Sequence, residues 1–203
     1  MAFPAWFENA PAMRLHDGLA ELLGAPADGI LDYRYPDAVR LAGHSCPTVA
    51  GAYLAACAGL KALYGDAMPE RGQIAVTLPD AEDAGVTGVI GQVMTLVTGA
   101  AAANGFHGLG GDHVRAGLLR YGDAGVKGVR MQRRDTGAMV EVDVDASTIQ
   151  GHPKQRMLLA AIVQGQADDA QRREFGELWQ DRVRRLLTVH ADDPAVVTVR
   201  RIA

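Results

Sequence analysis

The chain has 203 residues, of which 48% are hydrophobic and 22% are charged, and its formal net charge is −4. This length is typical of one domain with an appendage, and the acidic balance argues against a nucleic-acid-binding surface. No apolar run approaches the roughly 18 residues that cross a membrane, and the first nine residues lack the features of a secretory signal. We therefore expect a cytoplasmic protein that binds neither nucleic acid nor membrane.

Short elements are predicted for the first forty residues. An aromatic cluster opens the chain and is followed by a short amphipathic stretch that glycine breaks at Gly24. Residues 30–35 fit an extended segment, and Pro36 begins a short helical turn through Leu41.

A helix made mostly of small apolar residues is predicted from Pro47 to Tyr64. Pro47 suits the first helical position, where its missing N–H costs nothing, and Gly65 ends the run. Because the helix is apolar on nearly every face, it is expected to be buried against another backbone. Cys57 lies inside it as a packing residue, too far from Cys46 for a disulfide if both lie on one helix with its rise of about 1.5 Å per residue.

Alternating elements and then a run of strands occupy the remainder of the chain. We predict a strand over residues 73–78, a helix over 86–103, strands over 116–121, 126–133 and 138–144, helices over 154–164 and 170–189, and a last strand over 196–202. This order indicates an α+β fold with a mixed sheet and C-terminal helices, rather than a doubly wound sheet.

His44 and Cys46 are the residues with the most specific chemistry. Side chains two apart in an extended segment share a face, and a residue before proline is pushed towards extended geometry. Cys46 is also the expected N-cap of the next helix, where the helix dipole favours a thiolate. A thiolate beside an imidazole suits Zn(II), and also copper or iron. Two alternatives stay open: Cys46 as a nucleophile with His44 as its base, and a purely structural role for both.

The motif Gly43-His44-Ser45-Cys46-Pro47 and its small-residue helix resemble the opening of the FmdE (or FwdE) family, whose name comes from formylmethanofuran dehydrogenase. The resemblance continues in the strand and helix that end in Thr98-Gly99 and in the glycine-rich loop over residues 104–111, and it covers roughly residues 38–145. It implies a helix–strand–helix–three-strand core of the FwdE/GAPDH-domain-like type.

The resemblance also implies metal binding by His44 and Cys46 and an intimate homodimer. His107, in the glycine-rich loop, is a candidate contact for a cofactor or small-molecule ligand, and His113 and the carboxylates at positions 80, 82 and 83 are weaker candidates. Zn(II) is the expected ion, with another transition metal or haem as alternatives. Members of the family often carry further cysteines later in the chain, whereas here no cysteine follows Cys57.

We divide the chain into residues 1–150, a metal-binding domain with an N-terminal extension, and residues 151–203, a helical appendage. The appendage is expected to pack on the same domain or on a dimer partner. The functional hypotheses are an open metal or ligand site, an accessory to metal- or cofactor-dependent metabolism without turnover of its own, and a cysteine-dependent enzyme.

Overall fold

The computed structural model describes residues 3–202. Seven strands and six α-helices follow one another as β1 (Met13–His16), α1 (Gly18–Leu23), β2 (Ile30–Tyr33), α2 (Tyr35–Ala42), α3 (Pro47–Tyr64), β3 (Ile74–Thr77), α4 (Thr87–Thr98), β4 (Leu119–Arg120), β5 (Val129–Arg133), β6 (Met139–Val144), α5 (Lys154–Val163), α6 (Asp169–Thr188) and β7 (Val197–Ile202).

Five of the strands form one mixed sheet in the order β4-β3-β5-β6-β7. β3 and β4 run parallel and are connected through α4, whereas the other neighbours run antiparallel. β1 and β2 form a separate antiparallel pair. The predicted α+β class with its mixed sheet and C-terminal helices is confirmed.

Helix α3 lies at the centre of the molecule. It packs against the sheet on one side and against α2, α4 and α6 elsewhere. Its glycines let neighbouring chains come close: a Cβ placed on Gly59 would lie 2.2 Å from the Sδ of Met131 in β5. The predicted small-residue core helix therefore has the predicted limits, and its small side chains are the reason that the sheet approaches it so closely.

The opposite face of the sheet is polar and is held by an ion-pair ladder. Glu141 of β6 is 4% exposed and accepts hydrogen bonds from Arg130 at 2.8 Å and Arg200 at 3.3 Å, on the two neighbouring strands. Burial alone would raise the pKa of Glu141, but the hydrogen bonds from Arg130 and Arg200 outweigh it and lower the pKa. Glu141 is therefore held as a carboxylate between two cations.

Two local predictions differ from the structure. The segment before α1 contains strand β1, whose partner β2 begins fourteen residues after β1 ends, so the pairing cannot be read from local periodicity. Helix α4 ends at Thr98 rather than at Ala103, because Gly99 adopts φ 74° and its N–H caps the helix on the Thr95 carbonyl.

Helix α6 and strand β7 both belong to the C-terminal part of the chain. α6 packs against α3, and β7 pairs along the whole of β6 with Val142 opposite Val199. None of the helices in residues 3–202 is long and apolar enough to cross a membrane.

Candidate functional site

The loop that carries His44 and Cys46 is a sharp connection between α2 and α3. Gly43 ends α2 with φ 76°, a left-handed conformation that favours glycine. Cys46 is extended, with φ −148° and ψ 168°, and Pro47 starts α3. The Cys46 sulfur accepts a hydrogen bond from the Val49 N–H at 3.5 Å, so the thiol is the N-cap of α3, as the sequence predicts.

His44 is exposed, and one of its ring nitrogens is engaged. Nδ1 lies 2.9 Å from the carbonyl oxygen of Ala42. A carbonyl oxygen can only accept, so Nδ1 carries the proton in this contact and the neutral ring has its lone pair on Nε2. No hydrogen bond to Nε2 is found within residues 3–202, and the ring therefore presents a free nitrogen lone pair to solvent.

Ser45, between the two candidate ligands, is held by the C-terminal helix. Its carbonyl oxygen accepts hydrogen bonds from Trp179 Nε1 at 3.0 Å and from Gln180 Nε2 at 3.1 Å. Its hydroxyl donates to Gln180 Oε1 at 2.9 Å and lies 2.9 Å from the hydroxyl of Tyr35. Burial raises the pKa of Tyr35, so this hydroxyl stays protonated and can donate to Ser45.

Trp179 and Gln180 are residues whose role the sequence did not reveal. The sequence pattern places Trp179 in the apolar stripe of α6, with anchoring of a partner as an alternative role. Trp179 does pack against the hydrophobic core, and its indole nitrogen also reaches Ser45, 134 residues away in sequence. No local pattern signals this contact, because it depends on how α6 lies across the molecule.

His107 lies in the loop between α4 and β4 and is exposed. The loop is ordered by its own backbone: Arg115 and Ala116 both donate to the Phe106 carbonyl, at 2.8 and 3.0 Å. The glycine-rich turn thus holds His107 at its surface without a hydrogen bond from the described side chains.

The histidine at position 113 is placed elsewhere. Its φ is 59°, and its ring lies beside Gly18 together with the Glu70 carboxylate. The Glu70 carboxylate also contacts His16 Nδ1 at 2.5 Å, while His16 Nε2 lies 3.0 Å from Glu21. Both nitrogens of His16 are therefore occupied by carboxylates, and the hydrogen bond to Glu70 is the main reason that the pKa of His16 is raised.

Across residues 3–202, no three or more His, Cys, Asp or Glu side chains are grouped so that they could hold a metal ion. His107 and the carboxylates at positions 80, 82 and 83 therefore do not form such a group with His44 and Cys46. Both cysteines are free.

The family model described as "FmdE, Molybdenum formylmethanofuran dehydrogenase operon" matches residues 41–194, which begin at the end of α2 and include the GHSCP motif and α6. The chain belongs to the FmdE family. The match extends beyond the region of resemblance in the sequence and takes in the helix that holds Ser45.

Among solved structures, the chain is similar to a tungsten formylmethanofuran dehydrogenase FmdE-like protein from Syntrophus aciditrophicus. The identity is 16% and the TM-score 0.44, and the alignment covers 84% of this chain and 72% of that one. No curated protein matches the sequence.

A buried ion cluster lies away from the motif. Asp17 is 3% exposed, caps α1, and pairs with Arg71 at 2.8 Å and Arg115 at 2.7 Å. Burial alone would raise the pKa of Asp17, but the Arg71 hydrogen bond and the charges of both arginines lower it. The sequence offered no signal for this cluster, because its members lie 54 and 98 positions apart.

Proposed function

We propose that this FmdE-family chain binds a transition metal, zinc before others, through His44 Nε2 and Cys46 Sγ. The observation that carries the proposal is the hydrogen bond between His44 Nδ1 and the Ala42 carbonyl. Histidines that bind metals usually donate their other ring N–H to a carbonyl or carboxylate, which fixes the tautomer and leaves the ligating nitrogen free.

The second donor, Cys46, is supported by its place at the start of α3. Its sulfur already accepts a hydrogen bond from the Val49 N–H in the first turn of this 18-residue helix. Thiolate sulfur and imidazole nitrogen are the ligand types that zinc prefers. The donor set present therefore fits zinc in chemistry, although it is half of a tetrahedral set.

Two protein donors leave coordination positions for water or a small molecule. This open arrangement is typical of ligand-binding or catalytic metals rather than closed structural ones. Zinc in such a position would supply Lewis acidity, and this chain would contribute the imidazole of His44 and the sulfur of Cys46 as its ligands. A role as an accessory in metal- or cofactor-dependent metabolism agrees with family membership and requires no turnover.

A zinc titration followed by calorimetry tests the proposal. His44→Ala and Cys46→Ala are each expected to abolish tight binding, while the matched controls His152→Ala and Cys57→Ala keep the wild-type affinity. One zinc per chain is the expected stoichiometry. Half an equivalent would instead indicate a set shared by two copies, with two histidines and two cysteines, and would replace the open site by a closed one.

A second candidate is a cysteine nucleophile at position 46, favoured by the same Val49 hydrogen bond. Cys57 serves as an internal reference, because burial raises the pKa of its thiol to about 12 and a thiol with a raised pKa is alkylated slowly. Alkylation by iodoacetamide should therefore report Cys46 alone. If Cys46 binds zinc, a chelator should speed its alkylation. An unchanged rate would favour the hypothesis that Cys46 is a nucleophile without a metal.

A further inference from the structure

A cavity of about 280 Å³ opens between the first turns of α3 and α4 and the neighbouring ends of strands β3, β5 and β6. On the α3 side its wall is made by small residues, which leave the space that larger side chains would fill. Gly51 illustrates this: a Cβ added there would meet only the side chain of Val144, with Cγ1 at an ordinary 3.6 Å. The wall includes Pro47, the residue after Cys46, but neither His44 nor Cys46.

Most of the cavity wall is apolar, and it contains no lysine, arginine or histidine. On the sheet, Val142 and Val144 face α3, whereas the alternation of β6 turns the Asp143 side chain to the other face. Asp80, at the rim, is exposed and forms no ion pair with the described residues. A buried anion would find no counter-charge here, and its desolvation would oppose binding.

Thr87, the first residue of α4, carries a hydroxyl without a partner. The residue is 6% exposed and lines the cavity, yet its side chain makes no hydrogen bond within residues 3–202. Its oxygen is not sealed in the protein interior, since the fully enclosed and unpaired side-chain atoms of that region are Tyr64 Oη and Gln155 Nε2. Buried hydroxyls are normally satisfied, so this one is available to a bound molecule.

We infer that the cavity binds a small, uncharged, largely apolar molecule that hydrogen-bonds through one polar group to the Thr87 hydroxyl. The apolar body of the ligand packs between the small residues of α3 and the valines of β6. This inference does not rest on the proposed metal site, because the cavity wall contains neither candidate ligand. It assigns a binding function to a region that the metal proposal leaves unused.

The test compares three probes of one shape on the whole chain. 2-Naphthol is neutral at pH 7 and carries one hydroxyl, naphthalene lacks it, and 2-naphthoate is an anion. We expect single-site binding of 2-naphthol, weaker binding of naphthalene, and binding of 2-naphthoate at least about ten-fold weaker than that of 2-naphthol. Saturable binding is measured by ligand fluorescence or by ligand-observed NMR.

Thr87→Val removes the hydroxyl and keeps the side-chain shape. It should weaken 2-naphthol about two- to ten-fold and leave naphthalene unchanged. Thr188→Val, which removes a hydroxyl bonded to Arg184 on α6, is the matched control and should change neither. Thermal unfolding checks the fold, and Thr87→Val should be at least as stable as the wild type because it removes an unpaired hydroxyl.

Three results would overturn the inference: no saturable binding of 2-naphthol, binding that Thr87→Val leaves unchanged, or a preference for 2-naphthoate. The double variant His44→Ala, Cys46→Ala should bind 2-naphthol as the wild type does. Loss of zinc with retention of 2-naphthol in that variant would separate the two sites, so either proposal can fail without the other.

Discussion

The indole nitrogen of Trp179 donates a hydrogen bond to the carbonyl oxygen of Ser45, the residue between His44 and Cys46. Gln180 contacts the same residue twice, through its amide nitrogen and its amide oxygen. Helix α6 therefore fixes the backbone of the loop that presents both proposed ligands. The C-terminal part of the chain thus contacts the proposed site without contributing one of the proposed ligands.

Removing a hydrogen bond between α6 and Ser45 should weaken metal binding without removing a proposed ligand. We expect Gln180→Ala to lower zinc affinity about ten-fold, the lower end of what loss of an outer-shell partner costs. Glu177→Ala, an exposed change on the same helix, is the control and should leave the affinity unchanged. Equal affinities for all three proteins, measured by competition with a chelating dye, would show that α6 has no part in positioning the ligands.

Asp17→Asn should destabilise the fold strongly. The variant keeps a side chain that can cap α1 but leaves Arg71 and Arg115 without their shared buried carboxylate. Removing one partner of a buried ion pair costs about 3–5 kcal/mol, which urea unfolding would detect. Because the folded pKa of Asp17 is lowered, its contribution is present above the unfolded pKa and is lost as pH falls.

The exposed pair formed by Arg14 and Asp32 is the control for the buried cluster. Its atoms are 2.8 Å apart, but both side chains are more than half exposed. Water and salt screen such pairs, so Asp32→Asn should change stability little. Equal destabilisation by the two aspartate changes would contradict the importance assigned to burial.

His16 should make the free energy of unfolding depend on pH in the opposite direction from Asp17. Its pKa is raised, first by the hydrogen bond to Glu70 and then by that to Glu21, with burial opposing both. Its stabilisation is therefore complete below the unfolded pKa of about 6.5 and disappears as pH rises through the higher folded pKa.

Urea unfolding of the wild type and His16→Asn measures this contribution. The stability difference between the two proteins should be largest at pH 6 and should shrink towards pH 9. A difference that stays constant over this range would mean that the imidazolium charge is not what binds the two glutamates.

Two glycines of α3 should respond differently to the same substitution. Gly51→Ala adds a methyl at ordinary contact distance and should stabilise the helix by up to about 1 kcal/mol. Gly59→Ala pushes into the buried Met131, and overpacking of this kind costs about 1–3 kcal/mol. Thermal unfolding should place Gly59→Ala below both Gly51→Ala and the wild type. The reverse order would mean that Met131 moves aside freely.

Local signals account for the parts of the fold that the sequence predicted well. Pro47, the small-residue run and Gly65 define α3 by chemistry that acts within a few residues, and Cys46 is extended for the same reason. The end of α4 was predicted too far along, because residues 100–103 are alanines with high helix propensity. Helix α4 nevertheless ends at Thr98, because Gly99 adopts a left-handed conformation that helix propensity alone does not predict.

Contacts between distant segments account for the parts that were missed. Three such contacts join residues whose local sequence shows no distinctive pattern: the pairing of β1 with β2, the Asp17 cluster, and the hydrogen bond from Trp179 to Ser45. The candidate ligands His44 and Cys46 were visible because they lie two residues apart. The contact of α6 with Ser45 could not be predicted from the sequence, because it depends on how α6 packs in the folded chain.

Elemental analysis of protein purified without a metal-affinity tag would measure directly whether the chain binds a metal. We expect close to one equivalent of zinc or another transition metal in the wild type, and its loss in a folded His44→Ala, Cys46→Ala variant. A folded wild type that contains no metal, and takes up none when zinc is added, would contradict that expectation.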